Sequence, residues 1–175
     1  MSADPADVKQ AVLGTGAVFD HVAYAGPRIR DMLTIYQDLL GGVFWEGGDN
    51  TRVGYRALQL RYRDGTRFEL MEPLPGSTFF DSFFARTGGG GLHHITFKVD
   101  DVRSAATRLK ELGYTPHGLY LDDPAWQEVF MHPRETGGVL VQLAQGSLPG
   151  AAPAITLEDV LAGRVNESGV LTNGS

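Results

Sequence analysis

Polar and apolar positions alternate with a period of two along Gly91–Asp101, the spacing of a strand. His93, Ile95, Phe97 and Val99 share one face, largely apolar and suited to lying under a helix. His94, Thr96 and Lys98 share the other, whose polarity suits the lining of a cavity. Further strands are predicted at Ala17–Ala25, Val43–Glu46, Arg52–Tyr62 and Thr66–Glu72. Between the first two of these, Ile29, Met32, Leu33, Tyr36 and Leu40 recur at helical spacing. Pro27 suits the start of that helix and Gly41-Gly42 its end. Asp64-Gly65 predicts a tight hairpin between the last two strands. The resulting order is β-α-β-β-β.

The same order then recurs. Asp100 or Asp101 offers an N-cap after the strand at 92–99. Val102, Ala105, Ala106, Leu109 and Leu112 form the buried stripe of a helix that ends at Gly113. Strands at Thr115–Leu121, Glu128–His132 and Gly138–Ala144 follow, the last two joined through Glu135–Gly138. The fold class read from this is α+β, built of two βαβββ modules related by a pseudo-two-fold, at 16–75 and 91–146. Residues 1–15 are a lead-in with a helical turn over Ala6–Leu13, and 76–90 connect the modules through a short helix and a glycine hinge. Phe79, Phe80, Phe83 and Phe84 give that helix an aromatic face, which packs on the core or covers a pocket. In the tail, 147–175, Thr156 caps a short helix over Thr156–Ala162, and 164–175 read as frayed.

The repeat places chemistry in register. His94 lies 73 positions after His21 (94 − 21), and Gln142 lies 73 after Glu69 (142 − 69). Each module therefore carries a histidine on its first strand and a carboxylate or carboxamide on its last, all on the face opposite the apolar, helix-packing set. A pseudo-two-fold would gather the four at one centre. Two imidazoles, a carboxylate and an amide oxygen suit one divalent ion (Co, Ni, Mn, Zn or Fe) and leave two open positions in an octahedron.

Composition narrows the functions. An apolar fraction of 42% over 175 residues is that of one compact domain, or of two small modules sharing a core. A net charge of −6 with no basic stripe argues against nucleic acid. The absence of cysteine excludes disulfides and thiolate metal sites. Apolar runs fall short of the ~20 residues of a membrane helix, and the acidic first residues do not resemble a signal peptide, so no membrane and a cytoplasmic location are expected.

Asp20–Ala23, Glu69–Leu74, Gly91–Ile95, and Phe130–Pro133 with Thr136–Val141 resemble the methylmalonyl-CoA epimerase branch of the vicinal oxygen chelate (glyoxalase-like) superfamily. The resemblance runs from about Phe19 to Gln145. It implies paired βαβββ modules forming a curved, partly open barrel around a metal, a homodimer, and an enolate stabilised on that metal. By position, His21, Glu69, His94 and Gln142 fall on the family's metal ligands. The chain also departs from the family. Epimerases of this branch carry glutamine where this chain has Glu69 and glutamate where it has Gln142. Their further catalytic glutamate aligns with Arg56. An offset of 72 (128 − 56), matching that between the helix ends Gly41 and Gly113, makes Glu128 the rotated partner of Arg56.

Three functions follow. The first is a metal-dependent isomerase, epimerase or lyase acting at a carbon next to a carbonyl, with Glu69 and Glu128 as candidate catalytic carboxylates. Its substrate is a small molecule, an acyl thioester or carboxylate, and an inward Arg56 would bind its anionic group. The second is a non-haem Fe(II) oxygenase, since His21, His94 and Glu69 satisfy the two-histidine-one-carboxylate formula. The third is a non-catalytic small-ligand binder of the same fold.

Overall fold

The structure, a computed structural model, describes residues 16–146 and 154–172. The lead-in helix expected over Ala6–Leu13 lies outside the described residues, as does the linker at 147–153. The elements in chain order are β1 (Val18–Ala25), α1 (Ile29–Leu33), β2 (Val43–Asn50), β3 (Tyr55–Arg61), β4 (Arg67–Pro73), α2 (Asp81–Thr87), β5 (Gly91–Lys98), α3 (Val102–Glu111), β6 (Pro116–Tyr120), β7 (Trp126–Met131), β8 (Leu140–Gly146) and α4 (Leu157–Leu161). The fold is α+β, with the βαβββ order repeated as the sequence predicts.

The described residues form two compact units, one of 21–94 with 154–172, the other of 16–20 with 95–146. The division falls inside β1 and β5, so both histidines of the 73-residue offset belong to the first unit.

In the first unit the strands run in the order β2-β3-β4-β1-β5. β4 pairs parallel with β1 and antiparallel with β3, and β3 pairs antiparallel with β2. One face of this sheet is apolar: Leu58, Leu60 and Leu70 are fully buried against Ile29 and Leu33 of α1. Ile155, Val160 and Val165 of the tail join the same cluster. Residues 164–172 are thus not frayed. Val165 is 1% exposed, its carbonyl accepts from Asp49 N–H at 2.8 Å, and Asn166 bridges the edge strand β2. The tail covers an edge that would otherwise present unpaired backbone groups.

α1 departs from its predicted length. The segment Thr34–Leu39 continues it as a π-helix, and Leu40, expected in the buried stripe, is 56% exposed. A wider turn advances less than 100° per residue, so a stripe spaced for 3.6 residues per turn rotates out of contact. Tyr36 holds the wide turn in place: its ring stacks on Phe68 at 4.5 Å, and its carbonyl accepts from Tyr62 Oη at 2.8 Å. Asp64-Gly65 does form a hairpin. It is the three-residue kind, with Tyr62 N–H bonded to Thr66 O and Gly65 at φ +88°.

In the second unit the order is β5-β8-β7-β6. Asp101 caps α3, accepting from Ser104 N–H at 2.9 Å. Val102, Ala105, Ala106 and Leu109 pack on Val129 and Leu143. Leu112, at the C-cap, is 45% exposed.

Candidate metal centre

Alternation on β1 and β4, fixed by the apolar core on the other side, puts His21, Ala23 and Ala25 on one face with Arg67, Glu69 and Met71. On β3 the same face carries Tyr55, Ala57, Gln59 and Arg61. His94 of β5 joins it. Within the first unit His21 Nε2 and His94 Nε2 lie 3.7 and 3.5 Å from Glu69 Oε2. One ligand atom from each of the three falls within 4.8 Å of the others. The two histidines are 1% and 5% exposed, and their rings meet edge-on at 5.6 Å.

These distances fit a shared cation. At 3.5 and 3.7 Å the pairs are too long for hydrogen bonds. Donors around one ion with bonds of about 2.1 Å stand about 3.0 Å apart in an octahedron and about 3.4 Å apart in a tetrahedron. The two histidine–carboxylate distances exceed the tetrahedral spacing by no more than about 0.3 Å. Among the described residues, His21, Glu69 and His94 form a group able to hold a metal ion, with the nitrogen and oxygen donors of a mid-row divalent ion.

The other expected residues are placed as follows. Gln142 lies in the second unit, 6% exposed, on the face of β8 opposite α3. Its Oε1 accepts from Thr96 Oγ1 at 2.5 Å and its Nε2 donates to Glu128 Oε2 at 2.6 Å. Glu128 shares this face, is 9% exposed, and also accepts from Trp126 Nε1 at 3.1 Å.

Arg56 is not brought to the face of His21 and Glu69. It alternates with Ala57 and so lies on the apolar, helix-packing side of β3 with Leu58 and Leu60. Its guanidinium donates to Asp49 Oδ1 and Oδ2 at 2.6 and 2.9 Å, to Glu72 Oε1 at 3.0 Å and to the Leu161 carbonyl at 2.9 Å. The hydrogen bonds to Asp49 raise its pKa above the ordinary arginine value against the opposing effect of burial. Glu72 in turn accepts from Ile29 N–H at 2.6 Å, at the start of α1. Arg56 thereby ties β2, β3 and β4 to the tail.

Strand register also corrects the rotated partner. Glu69 pairs with Gln59 as Gln142 pairs with Phe130, and Met71 pairs with Ala57 as Ala144 pairs with Glu128. The offset on this strand is 71 (130 − 59 and 128 − 57), so Glu128 is equivalent to Ala57, one residue beyond Arg56.

Sequence reasoning placed His93 in the apolar set with Ile95, Phe97 and Val99. Phe97 and Val99 do pack with α3, but the His93 ring packs on the phenylalanines instead, 5.3 Å from Phe80 and 5.0 Å from Phe83. It has a second contact that alternation hides, His93 Nδ1 to His94 Nδ1 at 3.0 Å. Burial, and secondarily the charge of Arg86, lower the His93 pKa to about 4, which keeps the ring neutral at physiological pH. The signal in the sequence was the phenylalanine run preceding it. Phe80 is 1% exposed and buried with Ala23, Ala25 and Met71, so α2 is anchored in the core.

Residues 20–129 match the Glyoxalase/Bleomycin resistance protein/Dioxygenase superfamily. The ethylmalonyl-CoA/methylmalonyl-CoA epimerase of Cereibacter sphaeroides is 30% identical over 129 residues, covering 72% of this chain and 96% of its own. The human mitochondrial methylmalonyl-CoA epimerase is 29% identical over 145 residues, 75% of this chain and 78% of its own. The crystal structure of methylmalonyl-CoA epimerase from Mycobacterium tuberculosis superposes with a TM-score of 0.69 at 25% identity, over 82% of this chain and 95% of that one. No helix among the described residues is long and apolar enough to cross a membrane. The chain belongs to this superfamily, which includes the vicinal oxygen chelate enzymes, and to its epimerase-like branch.

Proposed function

We propose that the chain is a metal-dependent epimerase or isomerase that moves a proton at the carbon next to the carbonyl of a small acyl thioester. The observation that carries this reading is the convergence of His21, Glu69 and His94 in a chain of the epimerase-like branch. The epimerase of Cereibacter sphaeroides supplies the substrate class, a malonyl thioester bearing an α-alkyl group.

His21 and His94, through Nε2, and Glu69, through a carboxylate oxygen, would hold a divalent ion of the Co, Ni, Mn, Zn or Fe class. Gln142, by its 73-residue offset from Glu69, would be the fourth ligand. When bound, the ion supplies Lewis-acid stabilisation to negative charge developing on the carbonyl oxygen. Glu69 takes or returns the α-proton, since a carboxylate beside such a cation can use its second oxygen as a base. Glu128 is the second proton-transfer group, its carboxylate oriented by Gln142 Nε2 and Trp126 Nε1. Arg56, engaged by Asp49, Glu72 and Leu161, supports the scaffold.

The test is deuterium incorporation at the α-carbon of methylmalonyl- and ethylmalonyl-CoA in heavy water, followed by mass spectrometry. Metal-loaded wild type exchanges and the chelated protein does not. The two-histidine-one-carboxylate donor set gives a second reading its ground. Dioxygen consumed in the presence of Fe(II), without α-exchange, replaces the isomerase by an oxygenase. Saturable thioester binding with neither reaction leaves a binder.

A further inference from the structure

The metal reading leaves open how His94 is held in the right tautomer. A neutral imidazole carries one proton, and a ring that ligates through one nitrogen has to carry it on the other. The nitrogen of His94 facing Glu69 is Nε2, 3.5 Å from Oε2, alongside His21 Nε2, which is 3.7 Å from the same oxygen. Its other nitrogen, Nδ1, lies 3.0 Å from His93 Nδ1. Only one proton can occupy the line between two ring nitrogens at hydrogen-bond distance. With the proton on His93 Nδ1, His94 is protonated on Nε2 and cannot ligate there. With the proton on His94 Nδ1, the Nε2 lone pair is available.

We propose that His93 is a positioning residue, which accepts a hydrogen bond from His94 Nδ1–H and so fixes His94 as an Nε2 metal ligand; this rests on the metal-binding reading above. Metal-ligating histidines commonly donate their second ring N–H to an oxygen acceptor, which sets ring orientation and basicity. Here a second imidazole takes that place. Its own orientation is fixed by Phe80 and Phe83, both edge-on to it at 88° and 78°, with Phe79 6.3 Å away. The aromatic face of α2 and the residues before it therefore serve the metal centre without touching it. Phe80 does so twice, by holding His93 and by burying Ala23 and Met71, the neighbours of His21 and Glu69 on their strands.

The experiment uses the full chain, wild type and two variants. His93→Phe keeps a ring among the phenylalanines but removes the acceptor, whereas His93→Asn places an amide oxygen near the original Nδ1. Long-range proton–nitrogen spectra of the metal-free protein read the tautomer of His94, and chelator competition with Zn(II) and Co(II) reads affinity. The expected result is Nδ1-protonated His94 in wild type, a roughly 10–100-fold loss of metal affinity in His93→Phe, and recovery of most of it in His93→Asn. His94 protonated on Nε2 in the wild type, or metal affinity in His93→Phe within about 3-fold of wild type, overturns the inference while leaving the metal reading intact. Nδ1-protonated His94 in a wild type that binds neither ion removes the metal reading and leaves the tautomer assignment standing. The wild-type spectrum decides the assignment even if His93→Phe does not fold.

Discussion

Replacing Gln142 by glutamate installs the residue that epimerases of this branch carry at that position, and the structure predicts that the change is costly. Gln142 Nε2 donates to Glu128 Oε2 at 2.6 Å, so Gln142→Glu exchanges a charge-assisted hydrogen bond for two carboxylates in contact. Two unit charges about 3 Å apart at an effective dielectric of about 20 repel by about 5.5 kcal/mol. Rotation of either side chain lowers this ceiling, and so does proton uptake, because the pair then titrates as a dyad with one apparent pKa raised. The unfolded chain has no such dyad, and its glutamates titrate near 4.3. The folded variant therefore holds a proton more tightly than the unfolded one. Its stability approaches that of wild type below about pH 4.3 and is lost as pH rises through the raised value. A rise of one pKa unit or more corresponds to about 1.4 kcal/mol or more lost relative to wild type by pH 8. Urea denaturation of the chelated protein from pH 4.5 to 8 measures this. The double variant Glu128→Gln/Gln142→Glu restores one amide and one carboxylate with the roles exchanged, and is expected to recover the wild-type pH profile. A pH-independent difference for Gln142→Glu, or a double variant no better than the single, refutes the proximity argument.

Removing Arg56 leaves Asp49 and Glu72 with buried, uncompensated charge, so Arg56→Met should lose about 3–5 kcal/mol in urea denaturation without altering the affinity of the metal-loaded protein for substrate; a loss confined to substrate affinity contradicts the tether. Phe80→Ala should cost about 3–5 kcal/mol, as expected for a fully buried ring. Phe79→Ala, at a position 41% exposed, should cost well under half of that; equal and small losses would turn α2 into a mobile cover. Metal occupancy measured by elemental analysis should collapse in His94→Ala, and full occupancy in that variant removes the centre.

The strands and both βαβββ modules were legible because burial on one face imposes a period of two that survives even where strand ends shift. The His21, Glu69 and His94 cluster was legible for a different reason: His21 and His94 occupy the same position in a repeat, and so do Glu69 and Gln142. Arg56 shows how a resemblance can override a pattern. It sits two positions before Leu58 and four before Leu60, and period-2 reading alone places it on their apolar face, where the structure has it. Alignment to a family glutamate drew it to the wrong side. The one-residue slip is the kind that reverses a strand's facing, and only hydrogen-bonded register exposes it. Leu40 and residues 164–172 were illegible because a π-helical turn and a bridge to β2 depend on distant partners, Tyr62 with Phe68 in one case and Asp49 in the other. His93 was hidden by alternation itself. Adjacent residues point to opposite faces, but the two imidazoles near the start of β5 turn toward each other.

Register also gives the exchanged carboxylates a common explanation, and with it a stereochemical prediction. In the resembled epimerases the two glutamates sit on the third strand of the first module and the last strand of the second. In this chain the carboxylates sit on the last strand of the first module, Glu69, and the third strand of the second, Glu128. Glu69 is equivalent to Gln142, and Glu128 lies on the strand equivalent to β3, one residue beyond the equivalent of Arg56, so the two carboxylates have exchanged modules strand for strand. Such an exchange preserves a two-base epimerase, because the base for one enantiomer is the acid for the other. It predicts that each carboxylate serves one face of the α-carbon. Glu69→Gln should keep its metal, since an amide oxygen still ligates, and lose about 10²–10⁴-fold in net epimerisation. It should nevertheless wash deuterium into one enantiomer of the thioester, the one whose α-proton faces Glu128. Glu128→Gln should do the reverse. Exchange assays on each resolved enantiomer, with the two variants at equal metal occupancy, give four rates. A crossed pattern of two fast and two slow rates supports the exchanged pair. Both variants slow on the same enantiomer, or Glu128→Gln fast on both, would take Glu128 out of the chemistry and leave Glu69 working with a different acid.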